Sequence, residues 1–130
     1  MTSAADTAVS LALTMLVARI AGPAPQRRFG GKVRVADLID TVAWFTSVDA
    51  GEIVGRTRKP VYFRPRAAVC WIACELGLGS TTVIGHALGG RDHTTVHHAV
   101  RRARALRHRD PAFRRLTDRL VNHFRDFQEN

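Results

Sequence analysis

Apolar positions along the chain recur at the 3.6-residue helical period, and no stretch sustains the two-residue alternation of a strand. Residues 4–21 read as a helix that is apolar nearly all round. Val9, Leu13, Leu16 and Ile20 form one seam and Leu11, Met15 and Ala18 another, so its own domain or a partner must cover it. Gly22 to Gly31, with Pro23 and Pro25, break any helix and read as a linker. From Val35 to Val48, a face of Val35, Leu38, Ile39, Val42 and Phe45 predicts a core helix, with Asp37 and Asp40 near its positively polarised start. Asp49 to Gly55 follows as an N-capped short turn of helix ended by glycine. Arg56 to Arg66 then predicts a basic loop held extended by Pro60 and Pro65.

Pro65 suits the first turn of a helix running to about Leu78. Val69, Cys70, Trp71, Ile72, Ala73, Cys74 and Leu76 make it almost wholly apolar and therefore central. Ser80 starts a short helix, Thr81 to Leu88, with Val83, Ile84 and Leu88 expected inward. After Gly89-Gly90, Asp92 is the expected N-cap of a longer helix whose apolar stripe is Val96, Ala99, Val100, Ala103 and Leu106. Asp110-Pro111 opens a closing amphipathic helix to Phe127, facing inward through Phe113, Leu116, Leu120, Val121, Phe124 and Phe127. The predicted class is all-α: a helical bundle containing a helix-turn-helix, with an extra N-terminal helix. Two parts are expected, residues 1–31 (apolar helix and Gly/Pro linker) and residues 32–130 (the helix-turn-helix domain).

Charge sharpens this picture. The 130 residues carry a formal charge of +9, which points to a polyanionic partner, either nucleic acid or an acidic membrane surface. Arg56 to Arg109 hold eleven cations against two acids, Glu75 and Asp92, whereas the rest of the chain is balanced. The excess therefore belongs to one block, around the longer helix and the loop before it. Eighteen of the twenty cations are arginine, the residue that grips phosphate and guanine with two parallel hydrogen bonds. Arg101 and Arg102, behind the helix tip, are expected to meet DNA. Arg107 and Arg109 are expected on a solvated face.

Other chemistries find little support. Cys70 and Cys74, four apart in a helical stretch, suit a buried helix face rather than a disulfide. His93 and His97 lack the third ligand a zinc site requires, and no metal or cofactor is expected. Thr7 to Ala18 is uncharged but only twelve residues long, too short to cross a bilayer, and it lacks a basic leader. Trp44 and Trp71 are expected in the core. No nucleophile–base pair or carboxylate pair stands out, so no enzyme activity is expected.

Gly89-Gly90-Arg91-Asp92-His93-Thr94-Thr95-Val96, followed by His98-Ala99 and Arg101, resembles the signature of the C-terminal DNA-binding domain of the bacterial replication initiator DnaA. Arg64-Pro65-Arg66 and Ile84-Gly85 also sit where that family has them, and the resemblance runs from about Val35 to Phe127. It implies a helical domain that binds an A·T-rich DnaA box, with the helix-turn-helix in the major groove and the basic loop in the minor groove. Base contacts then fall on Arg58, Asp92, His93 and Thr94. Thr82 stands where the family often places a base-contacting proline. Phosphate contacts fall on Arg56, Arg66, Thr95, Arg101 and Arg102. Ala67 and Cys74 replace a phosphate-binding Gln and Lys common in the family, which is expected to lower affinity or shift preference.

No G-x-x-x-x-G-K-[ST] occurs, so the nucleotide-phosphate cradle of the initiator's ATPase domain is not expected in this chain. The expected partner is double-stranded DNA, and the expected location is cytoplasmic, at the nucleoid, without a membrane partner. Regulation of replication initiation or of local transcription would follow from occupying such sites. The alternative is an interaction module that docks on the initiator or a related regulator, or pairs as a homodimer, through residues 4–21.

Overall fold

A computed structural model of the chain describes residues 33–129, with side chains through Asp126. The predicted helix at residues 4–21, its linker and the Phe127 side chain lie outside this range. The described residues form α1 (Val35–Thr46), α2 (Ala50–Val54), a 3-10 turn (Pro60–Tyr62), α3 (Phe63–Glu75), α4 (Thr81–Ala87), α5 (His93–Arg109) and α6 (Pro111–Glu129). No strand occurs among them.

Each helix starts or stops where local chemistry requires it. The Arg34 amide donates to Asp37 Oδ2 at 2.9 Å, so the buried Asp37 serves the start of α1 directly. Asp49 Oδ1 accepts from the Gly51 amide at 3.2 Å and Ser80 Oγ from the Val83 amide at 3.2 Å, capping α2 and α4. Asp110 Oδ1 accepts from the amides of Ala112 (3.0 Å) and Phe113 (3.3 Å), and Pro111 fills the first position of α6. At the end of α3, the amides of Leu78 and Gly77 return to the carbonyls of Ala73 and Cys74, which stops the helix at Glu75.

The core is built on α3, which packs chiefly against α5 and α1. Its Ala67, Ala68, Val69, Ile72 and Ala73 are fully buried. They meet Leu38 and Val42 from α1, Ile53 from α2, Ile84 from α4, Val96, Val100 and Ala103 from α5, and Leu120 and Phe124 from α6. Small residues on α3 let its neighbours approach closely. The larger side chains around it each contribute about 1.5–3 kcal/mol by leaving water.

Five local expectations change. The basic segment is not extended to Arg66: Pro60 opens a 3-10 turn and α3 begins at Phe63, leaving residues 56–59 as the irregular part. Pro65 is accepted because it sits in the first turn, where its missing N–H has no intrahelical partner to lose. Val83 is 50% exposed, because the seven-residue α4 turns Ile84 inward and presents the neighbouring side chain to solvent. Cys74 is exposed although Cys70 is buried, and Trp44 is only half-buried. Arg107 is not on a solvated face. Its guanidinium lies over the Trp71 ring at 4.0 Å, donates to Thr117 Oγ1 and sits 2.8 Å from Asp118, riveting α5 to α6 and α3.

Candidate nucleic-acid interface

The short α4, the turn from Leu88 to Asp92 and the long α5 form a helix-turn-helix. The turn closes because the Arg91 amide donates to the Gly85 carbonyl at 2.8 Å and the Gly90 amide to the same carbonyl at 3.1 Å. A Cβ on Gly85 would lie 2.1 Å from the Arg91 carbonyl oxygen, so only glycine lets α4 and the turn approach this closely. Gly89, at φ +79°, is placed in the same way against the Val54 carbonyl oxygen, 2.2 Å from where its Cβ would be.

That approach brings the turn onto the C-terminal end of α2, whose carbonyls have no partners within so short a helix. Two arginines take them. Arg66 donates from Nε to Ile53 O (2.7 Å), from Nη1 to Thr57 O (2.6 Å), and from Nη2 to Glu52 O (2.7 Å) and Gly55 O (3.0 Å). Arg91 donates to the carbonyls of Val54, Gly55 and Leu88. Both cations sit at the negative end of the α2 dipole. Burial pushes both guanidiniums below the ordinary arginine pKa, and the charge of Arg91 adds to the effect on Arg66. Two like charges are thus held together by backbone oxygens. The loop that follows is fixed relative to α5.

Between loop and helix lies an open cleft of ≈ 660 Å³. Arg56, Arg58, Lys59 and Arg66 line it from the loop side and the start of α3, with Thr95, His98 and Arg102 from α5. Arg102 is set in place by stacking on Phe63, its guanidinium carbon 4.2 Å from the ring centre. Cys70 lies at the bottom. Burial above all, with the neighbouring Cys74 adding, pushes its thiol up to about 12, so it is inert as a nucleophile.

The tip of α5 presents Asp92, His93, Thr94 and Thr95, all exposed. Asp92 takes the N-cap position with extended backbone (φ −66°, ψ 149°) but makes no capping bond to the helix amides. Its carboxylate instead lies 2.8 Å from His93 Nδ1. The Thr94 hydroxyl, first among several neighbours, holds the Asp92 carboxyl below the usual carboxylate range. The acid is therefore ionised and acceptor-only. Thr94 and Arg101 share one stripe of the helix with His97, at spacings of three and four.

Of the residues expected to touch nucleic acid, Arg56, Arg58, Arg66, Thr95 and Arg102 are brought together in the cleft, while Asp92, His93 and Thr94 are exposed on the α5 tip and do not line it. Arg101 and Thr82 are exposed and do not line the cleft. Arg66 is already engaged within the fold, since its four bonds to carbonyls leave one N–H for a phosphate. Sequence reasoning missed the equivalent role of Arg91 and the Phe63 platform. Arg91 lay inside the motif already singled out, but which carbonyls it serves depends on a segment 36 and 37 residues earlier. No group of three or more metal-ligating side chains occurs among the described residues. No described helix is long and apolar enough to cross a membrane.

Residues 35–103 match the family model for the bacterial dnaA protein helix-turn-helix. The chain belongs to this DnaA helix-turn-helix family. Similar proteins include the chromosomal replication initiator protein DnaA of Caulobacter vibrioides, 36% identical over 102 residues, or 78% of this chain and 21% of the relative. The DnaA of Neisseria meningitidis serogroup C is 36% identical over 91 residues, 69% of this chain and 18% of the relative. That of Acinetobacter baumannii is 38% identical over 81 residues, 62% and 17%. The chain thus spans about a fifth of the length of the DnaA proteins it matches, and the match to the family model covers α1 through most of α5. Membership of the DnaA helix-turn-helix family supports DNA binding of the DnaA type.

Proposed function

We propose that this protein binds double-stranded DNA at DnaA-box-like sites and, by occupying them, regulates the start of chromosome replication or local transcription. The observation that carries the reading is the cleft that joins the Arg56–Lys59 loop to the exposed polar tip of α5. In this reading the α5 tip enters the major groove. Asp92 accepts from a cytosine amino group, His93 donates to a guanine or thymine acceptor, and the Thr94 methyl meets a thymine methyl. Thr82, at the start of α4, flanks them. Arg58 reaches the adjacent minor groove, and Arg56, Arg66, Thr95, Arg101 and Arg102 hold phosphates. The initiator is the natural competitor or neighbour at such sites, and the reading assigns the chain no catalytic step.

Titration of a labelled DnaA-box duplex against a scrambled duplex of equal length, at several salt concentrations, tests this. The box should bind tighter by about 10³-fold or more at physiological salt. Equal binding of the two duplexes would overturn the reading.

A further inference from the structure

Where the C-terminal half of α5 meets the start of α6, Arg104, Arg107, His108 and Arg114 line a recess of ≈ 230 Å³. Every lining side chain is basic. Arg107 is its fixed floor, stacked on Trp71 and bonded to Thr117 and Asp118, while Arg104 and His108 are exposed and the Arg114 side chain is 66% exposed. The carboxylate of Asp118 stands beside the recess, 2.8 Å from Arg107 Nη1 and 4.0 Å from Arg114 Nε. Three guanidiniums against this carboxylate leave a net cationic hollow.

We propose that this recess holds a phosphate of a second DNA duplex, so that one molecule bridges two DNA segments. The inference rests on DNA binding by the α5 tip. At about 1.5 Å per residue, His108 stands about 22 Å along the helix axis from His93. The major groove is only about 8.5 Å deep, so a helix entering it tip-first carries His108 and the start of α6 beyond the duplex it reads, while Arg104 stands one turn past Arg101. The surface chemistry favours a phosphodiester over a protein. The exposed large apolar side chains among the described residues are Val61 and Val83, neither on α5 or α6, so a protein would find no anchor beside the recess. A phosphate needs only donors of this kind.

The test uses the full chain and the double variant H108Q/R114Q, which spares Arg107 and the Arg104 beside Arg101 and Arg102, with thermal unfolding to confirm the fold. A short box-bearing duplex is immobilised, protein is bound, and capture of a second, labelled duplex is measured. Wild type should capture it. The double variant should hold the immobilised duplex with affinity unchanged within about twofold, yet capture roughly tenfold less of the second. His93→Ala should instead weaken binding of the immobilised duplex itself, about 5- to 150-fold. Equal capture by the double variant, or no capture by wild type that is bound to the immobilised duplex, overturns the proposal. So does competition in which polyglutamate displaces as well as duplex, which would assign the recess to an acidic protein. Failure of wild type to bind any duplex would overturn the DNA-binding reading as well.

Discussion

Gly85 illustrates how much one absent methyl decides. Its Cβ position lies 2.1 Å from the carbonyl oxygen of Arg91, a backbone atom that cannot rotate away. Gly85→Ala must push α4 from the turn. It should destabilise by about 1–3 kcal/mol or more, read as a lower denaturation midpoint at unchanged m-value. Asp110 offers a second case. Burial pushes its carboxyl upward, but the Arg64 guanidinium and the amides of Phe113 and Ala112 outweigh it and hold the group below the ordinary range. A lowered folded pKa means that the carboxylate stabilises fully above the unfolded value of about 3.9 and that this contribution fades as pH falls through the folded value. Asp110→Ala should therefore cost about 0.5–2 kcal/mol at neutral pH, the cost of a lost N-cap. In an acid titration of stability the two proteins should converge. A difference that persists undiminished well below that range would show that the cap acts without its charge.

At the scale of elements, α2 is the anchor point of the site. It is one turn and a half of helix, too short to persist in isolation, and it persists here because two arginines from other elements satisfy its last carbonyls. Arg66 reaches it from the start of α3 and Arg91 from the turn before α5. Removing one cation leaves carbonyls unpaired in a half-buried place. Arg91→Ala should destabilise by about 1.5–3 kcal/mol. It should also raise amide exchange in residues 54–59 more than in the α3 core. Loss of protection spread evenly over the molecule would mean that Arg91 supports the fold at large rather than the loop.

At the scale of the whole molecule, the helical core holds the basic loop and the polar α5 tip in one fixed relation. Phosphate contacts and base contacts then have separate signatures. Arg101→Ala should weaken binding to box and scrambled DNA alike and reduce the steepness of log K against log salt by about 0.9. His93→Ala should cost roughly 1–3 kcal/mol on the box and little on scrambled DNA. Equal losses on both duplexes would exclude direct base readout by His93.

Much of this was legible in the chain. The helical period, the caps at Asp49, Ser80 and Asp110, the glycine turn and the motif around Asp92–Thr95 are local features, set by the spacing of apolar residues and by side chains within three or four positions of the backbone they serve. They were enough to predict an all-α helix-turn-helix domain and to name Arg56, Arg58, Arg66, Thr95 and Arg102, which line the cleft. What local order cannot contain is which distant backbone a long side chain will satisfy. Arg66 and Arg91 look like two more surface cations, as does Arg107. Only the folding of α2, α3 and α5 onto one another turns the first two into the clamp that aligns loop and helix, and the third into a rivet on Trp71. An arginine's role is set by the unpaired oxygens and aromatic faces that tertiary packing brings within its reach.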